Sequence, residues 1–313
     1  MIISASRRTD IPAYYSDWFF ERIRAGYVLV RNPMNTHQVS RIILSPDVCD
    51  GIVFWTKNPL PMLGRLSELS DYPYYFQFTL NAYGRDVEPN IPQKDSVLIP
   101  GFIKLSRLTG RERVVWRYDP ILLNEKYTLG YHLKYFEKLA QRLHPYTEKC
   151  IVSIVDNYRS ICRGMKALHA EEISEEAKLE LLGKMADISR KYGLCIESCA
   201  EAGKLEGIGI GRARCIDAER LGRIGKMTLK AEKDKNQRKE CGCAQSIDIG
   251  VYDTCQGGCL YCYANHSAGA VCKSFRAYNP LSPMLCSDIG EKDIITERTV
   301  KSLREEQTSL FGN

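Results

Sequence analysis

Short apolar runs recur along this 313-residue chain, and each run ends in polar or ionisable residues. Six of these runs cover residues 51–55, 74–79, 114–116, 151–155, 194–196 and 247–251, and another covers residues 2–6. Apolar residues at three- and four-residue spacing predict amphipathic helices between several of them, for example over residues 129–143 and after Ser174. Runs that are apolar on both faces and alternate with such helices indicate a parallel sheet or barrel.

The polar residues at the strand ends are expected to meet. In a (β/α) barrel the carboxyl ends of the strands form the active face, and a doubly wound sheet gathers them at one edge. The residues collected in this way are Arg7, Arg8, Asp10, Lys57, Asn58, Asn81, Arg117, Asp119, Asp156 and Glu197. This set is the first source of candidate functional residues.

Four of these side chains are candidates for catalysis: Lys57, Arg117, Asp119 and Glu197. The fork of Arg117 suits a carboxylate or a phosphate, and Lys57 could bind an anion or act in acid–base chemistry. An ion pair between Arg117 and Asp119 that braces the strand ends is the structural alternative. Three more side chains are candidates for cofactor binding, with the same alternative: Arg7, Arg8 and Asp10.

Three cysteines fall within eight residues towards the end of the sequence, at Cys255, Cys259 and Cys262. Gly257 and Gly258 lie between the first two, so the stretch is turn-like and too short for a strand. A closed structural zinc site wants four ligands, whereas an iron–sulfur cluster held by three thiolates keeps one iron open. Two readings are open from the residues alone: an iron–sulfur cluster with one open iron, or a zinc site completed by a distant cysteine.

The stretch from Ser246 to Asn265 resembles the cluster loop of radical S-adenosylmethionine (SAM) enzymes, particularly the photoproduct-lyase-like branch. Its C-terminal position, together with residues 31–35, 54–58 and 116–120, is similar to a radical-SAM-like family of uncharacterised proteins with a C-terminal cysteine cluster. The resemblance implies a [4Fe–4S] cluster held by Cys255, Cys259 and Cys262. It also implies that SAM binds the open iron and is cleaved reductively to a 5′-deoxyadenosyl radical. It further implies that Tyr261 packs near the adenine and that an external one-electron donor, a flavodoxin or ferredoxin, is required.

The cluster loop also leads to a prediction about the fold. In radical SAM enzymes this loop follows the first barrel strand, whereas here it follows the last predicted one. First and last strands are neighbours in a barrel, so we expect a circularly permuted (β/α) barrel of radical-SAM/TIM type with residues 247–252 beside residues 2–6. The predicted parts are a main barrel portion at 1–200, a basic connecting segment at 201–245, and a Cys-rich C-terminal portion at 246–313 packed on the barrel.

Two smaller structural predictions follow from the flanking residues. The apolar runs at 27–31 and 39–44 predict a hairpin inserted beside the barrel. The tail after Pro283 is polar, and a helix is predicted over residues 297–306.

Four further cysteines are candidates for a second metal site: Cys199, Cys215, Cys241 and Cys243. Four thiolates can hold a tetrahedral zinc ion or an auxiliary iron–sulfur cluster. Cysteine is also among the most commonly buried residue types, so the alternative is a set of inert core thiols. The remaining six cysteines are interpreted as structural.

The composition limits location and partners. No apolar run approaches ~18 residues, which predicts no transmembrane helix. Thirteen cysteines without an export signal indicate reduced thiols and the cytoplasm. Residues 201–241 hold eleven Lys or Arg against seven Asp or Glu, and such a stretch can attract nucleic acid, although a solvated surface segment is the simpler reading.

Two functional classes remain open at this point. The first is a radical-SAM-like enzyme with an unknown substrate, for which the photoproduct-lyase likeness makes a nucleic acid one candidate. The second is a non-catalytic, zinc- or Fe–S-dependent nucleic-acid-binding protein that uses the basic segment for phosphates.

Overall fold

The computed structural model describes residues 1–156, 161–199 and 205–305. Its strands are β1 (Ile2–Ala5), β2 (Tyr27–Asn32), β3 (Asn35–Ile43), β4 (Gly51–Thr56), β5 (Tyr74–Thr79), β6 (Val114–Ile121), β7 (Lys149–Ile154), β8 (Cys195–Ser198), β9 (Gly211–Arg212), β10 (Ile247–Asp248) and β11 (Ile294–Glu297). Eight of them form one sheet in the order β10-β1-β4-β5-β6-β7-β8-β9, and their pairings are all parallel. The predicted α/β class is confirmed.

The predicted barrel is wrong. Closure would require the two edge strands, β9 and β10, to pair with each other, and no pairing joins them within the described ranges. Each edge strand is only two residues long, so each offers few backbone groups for such a ladder. The fold is an open α/β sheet. The predicted circularly permuted TIM-type architecture is therefore wrong as well.

One neighbour relation expected from the sequence is present in the open sheet. β10 pairs in parallel with β1, with Ile3 opposite Ile247 and Ser4 opposite Asp248. The start of the chain and the strand before the cysteine loop therefore lie side by side. Asp248 strengthens this pairing by accepting hydrogen bonds from Ser4 Oγ (2.9 Å), Ser6 Oγ (2.6 Å) and the Arg7 amide (2.8 Å).

The helices are α1 (Ile11–Tyr14), α2 (Ser16–Ala25), α3 (Ile99–Thr109), α4 (Leu129–Leu143), α5 (Cys162–Ala167), α6 (Glu175–Lys191), α7 (Ala218–Gly225) and α8 (Ala268–Arg276). Local signals explain several of their ends. The side chains of Thr128 and Ser174 cap α4 and α6. Each accepts a hydrogen bond from the backbone amide of the third residue of its helix. α2 ends at Gly26, whose φ of 73° is the left-handed conformation that glycine adopts most easily.

The two faces of the sheet are buried by different parts of the chain. Successive side chains of a strand point to opposite faces. The first face, with Phe54, Phe76 and Trp116, belongs to the main core together with side chains of α2, α3, α4 and α6. The second face, with Val53 and Tyr75, packs against residues 213–244.

That covering segment is hydrogen-bonded to the sheet as well as packed on it. The Cys215 carbonyl accepts from Tyr75 Oη and from Gln77 Nε2, both at 2.7 Å. The amide of Asp217 donates to Tyr75 Oη at 2.9 Å. The segment therefore occupies the face that a closed barrel would turn inward. The proposed three-part division of the chain stays a prediction, and residues 201–204 lie outside the described ranges.

A small second sheet lies beside the first. β2 and β3 form the predicted hairpin as an antiparallel pair, and β11 adds in parallel to β3. The helix predicted over residues 297–306 is wrong: Glu297 ends β11 and residues 298–305 are not helical. Residue 306 lies outside the described ranges. In the part of the chain that the structure describes, no helix combines the length and apolar character needed to cross a membrane.

Candidate metal and cofactor site

The cysteine loop begins where β10 ends, at the carboxyl edge of the parallel sheet. Gly258 adopts a left-handed φ of 66°, and the Cys262 amide donates to the Cys259 carbonyl at 3.0 Å. The glycine turns the chain just before the second cysteine, and the hydrogen bond closes a tight turn between the second and third. Tyr15 Oη donates to the Thr254 carbonyl at 2.6 Å and fixes the start of the loop to the residue before α2.

The three thiols of this loop are half-buried. Burial raises the pKa of Cys255 to about 12 and the pKa values of Cys259 and Cys262 above their ordinary value. Each thiol is close enough to at least one other that a charge on one disfavours a charge on its neighbour. A metal would reverse this balance, because a coordinating thiol is deprotonated by the ion's charge.

The donor chemistry fits a thiophilic metal, since three soft thiolates suit zinc or an iron–sulfur cluster. Among residues 1–156, 161–199 and 205–305, no group of three or more His, Cys, Asp or Glu side chains is already arranged around a metal position. The loop thus supplies the right ligand types, and metal binding would have to draw the thiols together.

A buried carboxylate, Glu88, joins the loop to the strand ends. It accepts from Lys57 Nζ at 2.7 Å, from Lys94 Nζ at 2.8 Å and from Tyr261 Oη. Burial raises the pKa of Glu88, but the charges of the two lysines outweigh burial and leave the pKa below its ordinary value. Asn81 Nδ2 also donates to Tyr261 Oη, at 3.3 Å.

Lys57 and Tyr261 are therefore predicted residues that the structure brings together. The ammonium of Lys57 lies 5.5 Å from the centre of the Tyr261 ring. Burial lowers the pKa of Lys57, while the charges of Glu88 and Cys259 raise it above its ordinary value overall. A permanently positive group beside Cys259 can stabilise thiolates and other anions that bind at the loop.

Asp10 lies on the other side of Lys57. Its carboxylate accepts from the Lys57 amide at 2.7 Å and from the Ala13 amide at 3.0 Å. Burial raises the pKa of Asp10 to about 6, with the backbone hydrogen bonds opposing this effect. Asp10 lies close enough to Cys255 that the carboxylate raises the pKa of that thiol.

Arg117 and Asp119 form the buried ion pair that was the structural alternative. Arg117 is 4% exposed, and its Nε donates to Asp119 Oδ2 at 3.0 Å. Its Nη1 donates to Gln77 Oε1 at 3.3 Å and to Cys215 Sγ at 3.0 Å. The guanidinium is thus committed to internal partners, and a catalytic role for the pair stays a prediction.

The other predicted residues have their contacts outside the Cys255–Cys262 stretch. Glu197 pairs with Lys149 at 2.6 Å instead of facing the loop. The Arg8 guanidinium lies 5.2 Å from the centre of the Tyr252 ring. Arg7 lies between the two thiol groups: Tyr263 Oη donates to its carbonyl at 3.0 Å, and its guanidinium is near Cys243 and Cys215.

The four cysteines of the predicted second site do come together. Cys199 Sγ and Cys215 Sγ are 3.4 Å apart, and Cys243 is in hydrogen-bond contact with both Cys215 and Cys241. Hydrogen bonds from Cys199, from Cys243 and from Arg117 lower the pKa of Cys215, against the effect of burial. The hydrogen bond from Cys243 likewise lowers the pKa of Cys241 to about 6.

Many cationic side chains of the basic segment are paired internally. Arg214 pairs with Glu219, Arg220 and Arg223 both pair with Glu148, and Arg238 pairs with Asp156. These contacts favour the reading of this stretch as an ordinary surface segment over a phosphate-binding face.

Sequence reasoning missed Glu88 and Lys94. Neither follows a strand directly, because both lie in the long connection between β5 and α3. No spacing pattern marks them. A lone acidic residue in a loop carries no signal until the fold places two lysines and a tyrosine around it.

A search of curated proteins finds no match to this chain. The profile of one protein family, described as a domain of unknown function (DUF1848), matches residues 2–264 and so includes the cysteine loop and the carboxyl edge of the sheet. The chain belongs to the DUF1848 family.

Proposed function

We propose that the protein is a radical-SAM-like enzyme in which Cys255, Cys259 and Cys262 hold a [4Fe–4S] cluster. The observation that carries the proposal is the placement of a three-thiol loop at the carboxyl edge of a parallel sheet, next to Lys57, Glu88 and Tyr261. Open α/β sheets bind their ligands at this edge. When bound and reduced, such a cluster supplies the electron that cleaves SAM.

The surrounding residues have defined parts in this proposal. The Tyr261 ring, 9% exposed and oriented by Glu88 and Asn81, offers an aromatic surface for the adenine of SAM. The charge of Lys57 beside Cys259 favours anionic groups at the loop. The partial burial of the thiols limits the access of water to the reacting groups. The electron comes from an external donor of flavodoxin or ferredoxin type.

A feature beside β10 bears on the substrate, although none of the three loop cysteines lines it. A cavity of about 530 Å³ lies between the two sheets, and its wall includes Arg7, Arg8, Arg298 and Asp248. Arginine forks suit carboxylate and phosphate groups. This chemistry supports an anionic substrate, with a nucleic acid as one candidate.

The experiment that tests the proposal is anaerobic reconstitution with iron and sulfide, followed by incubation with SAM and dithionite. We expect release of 5′-deoxyadenosine, and we expect Cys259→Ala to abolish it. Cys272→Ala is the matched control, because Cys272 is exposed on α8 and lies outside the cysteine loop. Colourless, zinc-loaded protein that leaves SAM intact would contradict the proposal and favour the non-catalytic class.

A further inference from the structure

A second group of thiols lies outside the cysteine loop, on the second face of the sheet. Cys199 follows β8, Cys215 precedes α7, and Cys241 and Cys243 come from the end of the covering segment. Three of the four are nearly fully buried, with 2% of Cys215, 6% of Cys241 and 3% of Cys243 exposed. Residues separated by more than forty positions in sequence thus present their sulfurs to one another.

Backbone pairing holds these thiols in register. The Cys199 amide donates to the Val152 carbonyl, and the Ala244 amide donates to the Ile216 carbonyl, both at 2.9 Å. The sulfurs also accept from amides: Ile216 N–H donates to Cys243 Sγ at 3.4 Å, and Cys243 N–H donates to Cys241 Sγ at 3.5 Å. Donors directed at sulfur favour the thiolate, which is the form that binds metal.

Two cations face the same sulfurs, the buried Arg117 and the partly exposed Arg7. Arg117 Nη1 donates to Cys215 Sγ at 3.0 Å. Arg7 is electrostatically coupled to Cys243, Cys215 and Cys241, and its Nη2 is buried with no hydrogen-bond acceptor. A buried donor without an acceptor is costly. Additional negative charge on the neighbouring sulfurs would satisfy it.

We infer that Cys199, Cys215, Cys241 and Cys243 form a second metal site that binds one zinc ion. With a zinc–sulfur bond of ~2.3 Å, a tetrahedral site separates its sulfurs by about 3.8 Å. The 3.4 Å between Cys199 and Cys215 is close to that spacing, whereas a four-iron cluster lies between its cysteines and holds their sulfurs further apart. The four sulfurs now contact one another in a row, and zinc binding would move them into a tetrahedron around the ion.

A zinc ion with four protein ligands leaves no position for a substrate, so the role of this site is structural. It would fasten both ends of residues 215–243 to the end of β8 and keep the second face of the sheet covered. None of its ligands belongs to the Cys255–Cys262 loop. The inference therefore stands apart from the proposed function.

The test uses the full chain with Cys255, Cys259 and Cys262 all changed to alanine, purified anaerobically. We expect about one zinc ion per chain by metal analysis, and little iron. Adding Cys215→Ser should remove the zinc, whereas adding Cys195→Ser should not, because Cys195 is exposed on β8. All of these variants lack the thiols of the Cys255–Cys262 loop. The zinc result therefore does not depend on whether the wild-type protein cleaves SAM.

Cobalt replacement gives a second readout that does not depend on the folding of the Cys215 variant. The triple-alanine protein loaded with cobalt(II) should show the strong visible bands of a tetrahedral thiolate site and sulfur-to-metal charge transfer. Three results would overturn the inference: protein without bound metal, iron with sulfide in place of zinc, or a Cys199–Cys215 disulfide in the anaerobic protein.

Discussion

Glu88 is the residue on which the environment of the cysteine loop most depends. It is 2% exposed and is held by two ammonium groups and one phenol. Removing one member of a buried ionic group leaves the others uncompensated, which costs far more than losing an exposed pair. The position of Tyr261, and through it the wall of the proposed SAM site, rests on this carboxylate.

We predict that Glu88→Gln lowers the free energy of unfolding by about 3 kcal/mol, because Lys57 and Lys94 lose their shared counter-charge. Urea denaturation of the metal-free protein measures this. Glu180→Gln is the control: it breaks an exposed pair with Lys184 and should cost less than ~0.5 kcal/mol. Equal losses in the two variants would show that Glu88 has no special role.

His132 gives a prediction for the pH dependence of stability. Its Nε2 donates to the Leu122 carbonyl and its Nδ1 accepts from Tyr118 Oη, both at 2.8 Å. Burial lowers the pKa of His132 from 6.5 to about 4, although the bond to Leu122 opposes this. Between these two pH values, the imidazole of His132 is therefore protonated in the unfolded chain and neutral in the folded chain.

The part of the free energy of unfolding that depends on a neutral His132 is therefore fully present above pH ~6.5. It is lost as the pH falls towards about 4. The loss amounts to roughly 3 kcal/mol. We expect His132→Gln to lack this part of the acid destabilisation, as measured by denaturation at a series of pH values. Parallel pH profiles for the two proteins would refute the assignment.

At the residue scale, sequence reasoning could identify the thiols but not their surroundings. The spacing of Cys255, Cys259 and Cys262 is local and can be recognised directly. The contacts of Arg117 could not be predicted, since its partners Gln77 and Cys215 come from a different strand and from the covering segment. Such partners become known only when the chain is folded.

At the scale of elements, α5 packs closely on the cysteine loop. A Cβ placed on Gly164 would lie 1.8 Å from the Leu260 carbonyl oxygen, a backbone atom between Cys259 and Cys262. No side chain can be accommodated there unless the loop moves. The Leu260 amide also donates to the carbonyl of Val87, the residue before Glu88, at 3.0 Å.

We therefore predict that Gly164→Ala displaces the loop, lowers stability by about 1–3 kcal/mol and reduces the iron bound after reconstitution. Gly183→Ala is the matched control, because nothing lies within 4 Å of a Cβ at that position of α6. It should raise stability by about 0.5–1 kcal/mol and leave iron binding unchanged. Normal iron content in Gly164→Ala would disprove the predicted loop displacement.

Elements were more predictable than their assembly. The strand runs, the β2–β3 hairpin and the helix after Ser174 follow from local apolar spacing and capping residues. Whether the sheet closes into a barrel could not be predicted from local apolar spacing. Closure depends on whether the two short edge strands pair with each other, and neither local sequence nor spacing encodes that. The covering of the second face by residues 213–244 was missed for the same reason.

At the scale of the whole molecule, a path of hydrogen bonds leads from beside the cysteine loop to the second thiol group. It runs from Lys57, whose charge acts on Cys259, through Glu88 and Tyr261 to Asn81, whose side chain donates to the Asp119 carbonyl at 3.0 Å. From Asp119 it continues through Arg117 to Cys215. The path joins the sheet edge, where chemistry is proposed, to the segment that covers the second face.

A four-iron cluster in the Cys255–Cys262 loop, to which SAM binds, can be tested by electron paramagnetic resonance. The reconstituted, dithionite-reduced protein is measured with and without SAM. We predict about four iron atoms per chain in the wild type, a cluster signal that changes when SAM is added, and no such signal in Cys259→Ala. A protein without a cluster signal, or with a signal that SAM leaves unchanged, would contradict it.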